Sequence, residues 1–145
     1  MSAKVEKRIR LLLCVRHKLE ALLIFGNTTR ESSPEMATPQ LDEYLARVKL
    51  LHDGIDGLLL LVSDEERSLL ELHLVAGMKW LAVMDAYRAR WPAETSDVER
   101  TYELRQKEAI RKMSCYVERY ASTFDFSWLD DPLIDELIKV GNKKQ

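Results

Sequence analysis

The sequence predicts an all-α protein, a bundle of long helices that carries a smaller helical head in its C-terminal half. The 145 residues include only five glycines and four prolines, and no segment alternates apolar and polar residues over the length of a strand. Apolar residues instead recur at steps of three and four along most of the chain, which is the period of an amphipathic helix.

The first helix is predicted from Val5 to Phe25, where the apolar period is regular. Gly26-Asn27 follows it and provides the break expected after a helix C-terminus. The polar, turn-rich stretch Thr28–Ala37 is expected to be an exposed connection.

The second helix is predicted to begin at Thr38-Pro39 and to end near Val62. The threonine hydroxyl oxygen can accept a hydrogen bond from a free amide of the first turn. A proline at the first helical position loses no hydrogen bond, because the amide there has no acceptor within the helix. Gly54 and Gly57 each cost a helix about 1 kcal/mol relative to alanine. We interpret them as positions of close packing against another helix, with a local bend as the alternative.

Two shorter helices are predicted next. Ser63–Glu66 has the pattern of a capping box, and the helix that it opens is expected to end at Gly77. The following helix is predicted from Lys79 to Arg90, before Trp91-Pro92. Its expected buried residues are Trp80, Leu81, Val83, Met84 and Tyr87.

Ser96–Glu99 has the pattern of a second capping box and is predicted to open a long helix that reaches about Ala121. Its expected buried stripe comprises Val98, Tyr102, Ala109, Ile110, Met113, Tyr116, Val117 and Tyr120. The aromatic segment 124–129 follows. A short helix from Asp131-Pro132 to Val140, a stop at Gly141 and a frayed tail from Asn142 to Gln145 complete the chain.

The chain therefore divides into three predicted regions. Residues 1–62 are an N-terminal helical region and a candidate for dimerisation, residues 63–121 are the head, and residues 122–145 are an aromatic tail with a short helix. The tail either docks on a partner or folds back onto the core of its own chain.

No motif for catalysis or metal binding occurs in the sequence. His17, His52 and His73 are too far apart for an HExxH pattern, and there is no nucleophile elbow and no phosphate loop. Asp64–Glu66 has the structural explanation that acidic residues favour a helix N-terminus. We therefore expect a non-enzymatic protein that needs no cofactor and no metal.

Cysteine usage and hydropathy bear on the compartment. Cys14 and Cys115 lack the spacing of a zinc site and are expected to be small buried residues. The longest apolar run, Leu58–Val62, is too short for a bilayer, and the first residues lead into charged positions rather than a signal-peptide core. A cytoplasmic protein that does not enter the membrane is expected.

A helix, a glycine-centred turn, a second short helix and a long helix form the arrangement in which one helix can enter the DNA major groove while others brace it. The sequence between Gly77 and Ala121 contains nine basic and seven acidic residues. Its local charge is therefore +2, in a chain of net charge -2. Residues 63–121 are therefore predicted to be a helix-turn-helix-like head, and Leu61–Met113 is the segment that carries a resemblance to a known family.

This segment resembles the fourth region of sigma factors, and more closely the late-gene transcription activators of phages and prophages of Gram-positive bacteria. The residues that carry the resemblance are Asp64-Glu65-Glu66-Arg67, Leu69-Leu70, Gly77, Trp80, Arg105 and Ala109-Ile110. The resemblance implies a DNA-binding transcription regulator of phage or prophage type. It also implies double-stranded DNA as the partner, with RNA polymerase as a further one, and a homodimer.

Seven basic residues are the candidate DNA contacts. Arginine can bond two acceptors of a guanine edge, whereas lysine acts as a point charge. Arg100, Arg105 and Lys107 are expected to face the groove, and Arg88, Arg90, Arg111 and Lys112 are expected to contact phosphates. The alternative for each is a solvated helix face with pairs such as Glu103–Lys107 and Glu108–Lys112. The rival function is a helical protein-interaction module, an adaptor or inhibitor that does not bind DNA.

Overall fold

The structure is a computed structural model that describes residues 2–143. It is all-α, as the sequence predicts, with no strand in that range. The six α-helices are α1 (Ser2–Ser32), α2 (Pro39–Leu59), α3 (Asp64–Leu70), α4 (Trp80–Arg90), α5 (Glu99–Arg119) and α6 (Pro132–Lys143). A π-helical turn, Glu71–Val75, continues α3, and 3₁₀ turns lie at Pro34–Met36, Pro92–Glu94 and Ser127–Asp130.

The main core is built around α1, which packs against α2, α5, α6 and the π-helical turn. Burial of each large aliphatic side chain in such a core contributes about 1.5–3 kcal/mol to the free energy of unfolding. The core takes fully buried side chains from all three sequence regions; among them are Ile9, Leu13, Leu51, Ile55, Ala109, Met113 and Ile134.

The helix stop predicted at Gly26-Asn27 is wrong, because α1 continues to Ser32. Gly26 is buried where α1 crosses α2, and a β-carbon there would overlap a methyl group of Leu45. This glycine therefore permits close helix packing. The polar residues that follow do not break the helix either, since the hydroxyls of Thr28 and Thr29 donate to the carbonyl oxygens four residues earlier.

The predicted start of α2 and the first capping box are confirmed. The Thr38 hydroxyl accepts from the amide of Leu41. The Ser63 hydroxyl accepts from the amide of Glu66, whose carboxylate accepts from the amide of Ser63 in return. Helix α2 ends at Leu59, slightly before the predicted end, and Gly77 has the left-handed φ of 71° that suits glycine after a helix.

The second capping box, at Ser96, is wrong. Helix α5 begins at Glu99 with Val98 as its N-cap, and no side chain caps it. The Ser96 backbone instead bonds to the buried Tyr102, whose hydroxyl accepts from the Ser96 amide and donates to the Ser96 carbonyl. Helix α5 ends at Arg119, two residues before the predicted end. The stop predicted at Gly141 is also wrong, because α6 continues to Lys143.

Of the tail predicted to fray, Asn142 and Lys143 belong to α6. Lys144 and Gln145 lie outside the described residues. The aromatic segment folds onto its own chain, where Leu129 is buried and Trp128 covers Gly54, so that a β-carbon on Gly54 would lie 2.7 Å from the indole ring. Close packing is thus confirmed at Gly54, where the partner is a side chain of the 3₁₀ turn Ser127–Asp130. The same interpretation is wrong for Gly57, which faces open space.

Three side chains predicted to be buried are exposed. Leu81 on α4 is 74% exposed, and Val98, the N-cap of α5, is 57% exposed. Cys115 is exposed on α5, and Cys14 is partly buried. Burial raises the pKa of the Cys14 thiol, which remains protonated at neutral pH.

Candidate nucleic-acid interface

A second, smaller apolar core joins α3, α4 and the first half of α5 into a three-helix head. Its buried members are Leu69 from α3, Val83, Met84 and Tyr87 from α4, and Tyr102 from α5. Tyr87 and Tyr102 meet edge to face with ring centroids 5.4 Å apart, a favourable geometry for aromatic pairs. This core fixes how α4 and α5 lie relative to each other.

The linker between α4 and α5 is held by side chains at both ends. Arg88 donates to the Ser96 carbonyl at 2.9 Å and to the Asp97 carboxylate at 3.0 Å. The Trp91 indole donates to the hydroxyl of Ser68 at 3.0 Å, which ties the end of α4 to α3. The linker therefore has a defined path despite its length.

The π-helical turn places His73 in contact with Trp80 and Gln106, a cluster that was not predicted from the sequence. The imidazole stacks on Trp80 with ring centroids 3.9 Å apart, and its Nδ1 lies 2.7 Å from the side-chain oxygen of the buried Gln106. Such turns are uncommon and often lie at functional sites. No local signal predicts the contact with Gln106, because that residue lies 33 residues further along the chain.

Two of the seven candidate DNA contacts face the head itself. The Arg105 guanidinium lies 5.6 Å from the Tyr102 ring centroid and 6.0 Å from that of Tyr87. Lys112 donates to both oxygens of Glu66, at 2.8 and 3.0 Å. Both residues therefore connect α5 to the rest of the head.

Glu66 is a junction between the capping box of α3 and helix α5. Burial alone would raise the pKa of its carboxyl group, but the hydrogen bonds donated by Lys112 and Ser63 outweigh burial and lower this pKa. Glu66 is thus an anion that holds α3 against α5.

Three candidate contacts lie on one exposed line of α5, which we name the α5 stripe: Arg100, Lys107 and Arg111. The exposed Leu104 lies between the first two, and spacings of three and four residues align all of them on one helix face. The side chains of Arg100 and Arg111 are 70% and 54% exposed. The stripe thus presents three cationic side chains to solvent.

Carboxylates flank the α5 stripe, although not in the predicted pairs. Glu103 pairs with Arg100 at 3.4 Å, and Glu108 pairs with Arg111 at 2.6 Å. Within residues 2–143 Lys107 belongs to no ion pair. Exposed pairs of this kind contribute about 0.2–1 kcal/mol, so a phosphate group could replace the carboxylate at little cost.

The remaining two candidates lie at the end of α4. Arg88 is engaged by the linker, as described above, and Arg90 is exposed with its guanidinium 5.4 Å from the Trp91 ring centroid. Arg90 can contact an external anion without breaking an internal bond, whereas Arg88 would have to leave Asp97 and the Ser96 carbonyl.

In the part of the chain that the structure describes, no cluster of three or more histidine, cysteine or acidic side chains could hold a metal ion. No described helix combines the length and the apolar character needed to cross a membrane. Comparison with family models, with curated proteins and with solved structures found no significant match to this chain.

Proposed function

We propose that this chain is a DNA-binding transcription regulator of phage or prophage type, with a helix-turn-helix-like head and no enzymatic activity. The observation that carries the proposal is the α5 stripe, which the three-helix head presents to solvent. The sequence resemblance to sigma-like activators supports the same role for α5. Double-stranded DNA is the proposed partner, RNA polymerase a further one, and a homodimer the proposed assembly.

Within this proposal the seven candidate residues have different roles. Arg100, Lys107 and Arg111 contact DNA directly from the α5 stripe, and Arg90 adds a phosphate contact from the end of α4. Arg105 and Lys112 connect α5 to the rest of the head, because their charged groups already lie against Tyr87, Tyr102 and Glu66. Arg88 fixes the linker.

The test is a fluorescence-anisotropy titration of a labelled duplex at two salt concentrations. The triple variant Arg100→Ala, Lys107→Ala, Arg111→Ala should bind about tenfold more weakly or worse at low salt. Its salt dependence should be shallower, because each lost phosphate contact removes about 0.9 from the slope of log K against log salt.

The matched control removes the same charge elsewhere, through Lys7→Ala, Lys49→Ala and Lys139→Ala at exposed positions on α1, α2 and α6. It should bind DNA nearly as the parent chain does. Equal losses in both triple variants would indicate a nonspecific charge effect. Absence of duplex binding by the parent chain, with and without phage-type promoter sequences, would overturn the proposal and favour the rival function as an interaction module.

A further inference from the structure

An apolar groove lies at the opposite end of α5 from Arg100, where the C-terminal part of that helix meets the start of α1 and the aromatic segment. Its volume is about 520 Å³, within the range of ligand-binding clefts. The apolar lining comes from Val5 on α1, Val117 on α5, and Ala121, Phe124, Phe126 and Leu129. We name this surface the aromatic groove.

One wall of the aromatic groove is partly unpacked. Phe124 is 51% exposed, although its ring contacts those of Tyr120 and Phe126 with centroids 6.2 and 6.3 Å away. An exposed aromatic side chain on a concave apolar surface is typical of a contact site for another molecule.

The charges at the rim of the groove are mainly acidic. Asp125 and Asp130 are exposed, and neither belongs to an ion pair among residues 2–143. Backbone and side-chain hydrogen bonds from Ser127 lower the pKa of Asp125, which therefore remains ionised.

The basic side chains at the rim do not balance this charge. Arg8 is already engaged, since it pairs with Asp135 at 2.9 Å and donates to the carbonyl oxygens of Leu129 and Asp131. The exposed Lys4 remains on the opposite wall. A ligand in the groove would thus meet carboxylates next to aromatic rings.

A second groove of about 630 Å³ lies on the other side of Asp125, Ser127 and Asp130, which line both. It is bounded by the half-exposed Leu50, by Trp128 and by Pro132. Arg47 also lines it, but its guanidinium is paired with Asp131. The aromatic groove and this shallower groove therefore share one edge, which carries Asp125 and Asp130, and we name the pair the double groove.

We propose that this double groove binds a short segment of a partner protein in which lysine or arginine lies between apolar side chains. The basic residues of the segment would lie on Asp125 and Asp130, and its apolar residues would enter the two grooves. Charge complementarity with these two carboxylates requires a positive charge on the bound segment. The combined extent of the two grooves favours an extended polypeptide over a compact small molecule.

The test uses the full chain, labelled with ¹⁵N, and three synthetic peptides. The probe peptide is Ser-Leu-Lys-Arg-Phe-Ser, blocked at both ends. One comparison peptide replaces the basic pair by two glutamates, and the other replaces leucine and phenylalanine by serine. Only the probe peptide should saturate, and the amide signals that shift should be those of Val117, Phe124 and Asp125.

The variant Asp125→Asn, Asp130→Asn should bind the probe peptide about 3–10-fold more weakly, the range expected for two exposed charge pairs. Phe124→Ser should also weaken binding. The matched control Glu35→Gln, Glu43→Gln removes two exposed charges near the far end of the α1–α2 pair and should bind as the parent chain does. Circular dichroism checks that each variant folds.

Several results would overturn the proposal. They are the absence of saturable binding, equal binding of the acidic peptide, and binding that the aspartate variant leaves unchanged. Signal shifts at the groove that grow with protein concentration alone would indicate a second copy as the occupant, and would overturn it too. The α5 stripe variant keeps this surface intact, so failure here is distinguishable from failure of DNA binding.

Discussion

Two glycines of this chain lie in opposite environments, and each can be tested by adding one methyl group. Gly77 joins the π-helical turn to α4 with a φ of 71°, a conformation that costs other residues free energy. Gly57 lies near the end of α2, where a β-carbon would meet no atom within 4 Å. Backbone conformation therefore constrains the first position but not the second.

Gly77→Ala should lower the free energy of unfolding by about 1 kcal/mol or more, because alanine is strained at positive φ. Gly57→Ala should raise it by about 0.5–1 kcal/mol, since alanine is the better helix former. Urea denaturation followed by circular dichroism measures both. Equal effects of the two substitutions would contradict this explanation of the glycines.

At the scale of the element, the same sequence pattern has two different outcomes. Ser63 and Ser96 are each followed by glutamate three residues later, but only Ser63 forms the reciprocal box. The Ser96 hydroxyl accepts from the amide of Val98 instead. The difference arises from Tyr102, whose hydroxyl bonds to the Ser96 backbone and fixes the linker before α5 begins.

We therefore expect Ser63→Ala to lower the free energy of unfolding by about 1 kcal/mol, the usual cost of a lost N-cap. Ser96→Ala should cost less than half as much, because the backbone bonds to Tyr102 remain. Thermal unfolding of the two single variants makes the comparison. A larger loss for Ser96→Ala would indicate that the linker, rather than the capping box, limits the stability of the head.

These cases explain which elements the sequence could predict. The starts of α2 and α3 and the turn at Gly77 follow from signals within a few residues, and all were predicted correctly. The continuation of α1 past Gly26 depends on packing against Leu45 of α2, and a local pattern contains no information about such a distant partner. The start of α5 depends on Tyr102, which is only six residues from Ser96, but its hydroxyl reaches the Ser96 backbone only because the ring is buried in the folded chain.

The candidate site was predictable to a smaller extent. Its helices and its basic residues could be read from the sequence, but the face on which each residue lies could not. Arg105 and Lys112 are engaged by other residues of the head because the second core and Glu66 orient α5, although the Lys112 side chain stays 46% exposed. The aromatic groove could not be predicted from the sequence either, because the residues that line it come from both ends of the chain.

At the scale of the whole molecule, two carboxylates join elements that are distant in sequence. Glu66 connects α3 to Lys112 on α5, and Asp131 at the start of α6 pairs with Arg47 on α2. The hydrogen bonds from Arg47 outweigh burial and lower the pKa of Asp131. Both groups therefore have a lower pKa in the folded chain than their ordinary values of 4.5 and 3.8.

The sign of the pH dependence follows from these shifts. A group with a depressed pKa stabilises the fold above its unfolded pKa, and this stabilisation is lost as the pH falls through its folded pKa. The midpoint temperature of thermal unfolding should thus be nearly constant from neutral pH to about pH 5, and it should decrease as the pH is lowered further. The variant Glu66→Gln, Asp131→Asn should show a shallower fall; an unchanged acid profile would argue against these two groups.

The π-helical turn also affects how the length of this chain can vary. The amide of Ala76 bonds to the carbonyl of Glu71, five residues earlier, so this turn holds one more residue than an α-helical turn. Removing one residue from Glu71–Val75 would convert it to a regular turn and leave Leu69 and Met78 on their present faces. This fold can therefore tolerate the deletion of one residue in the π-helical turn. A deletion of one residue within α5 would instead rotate Arg111 away from the helix face of Arg100.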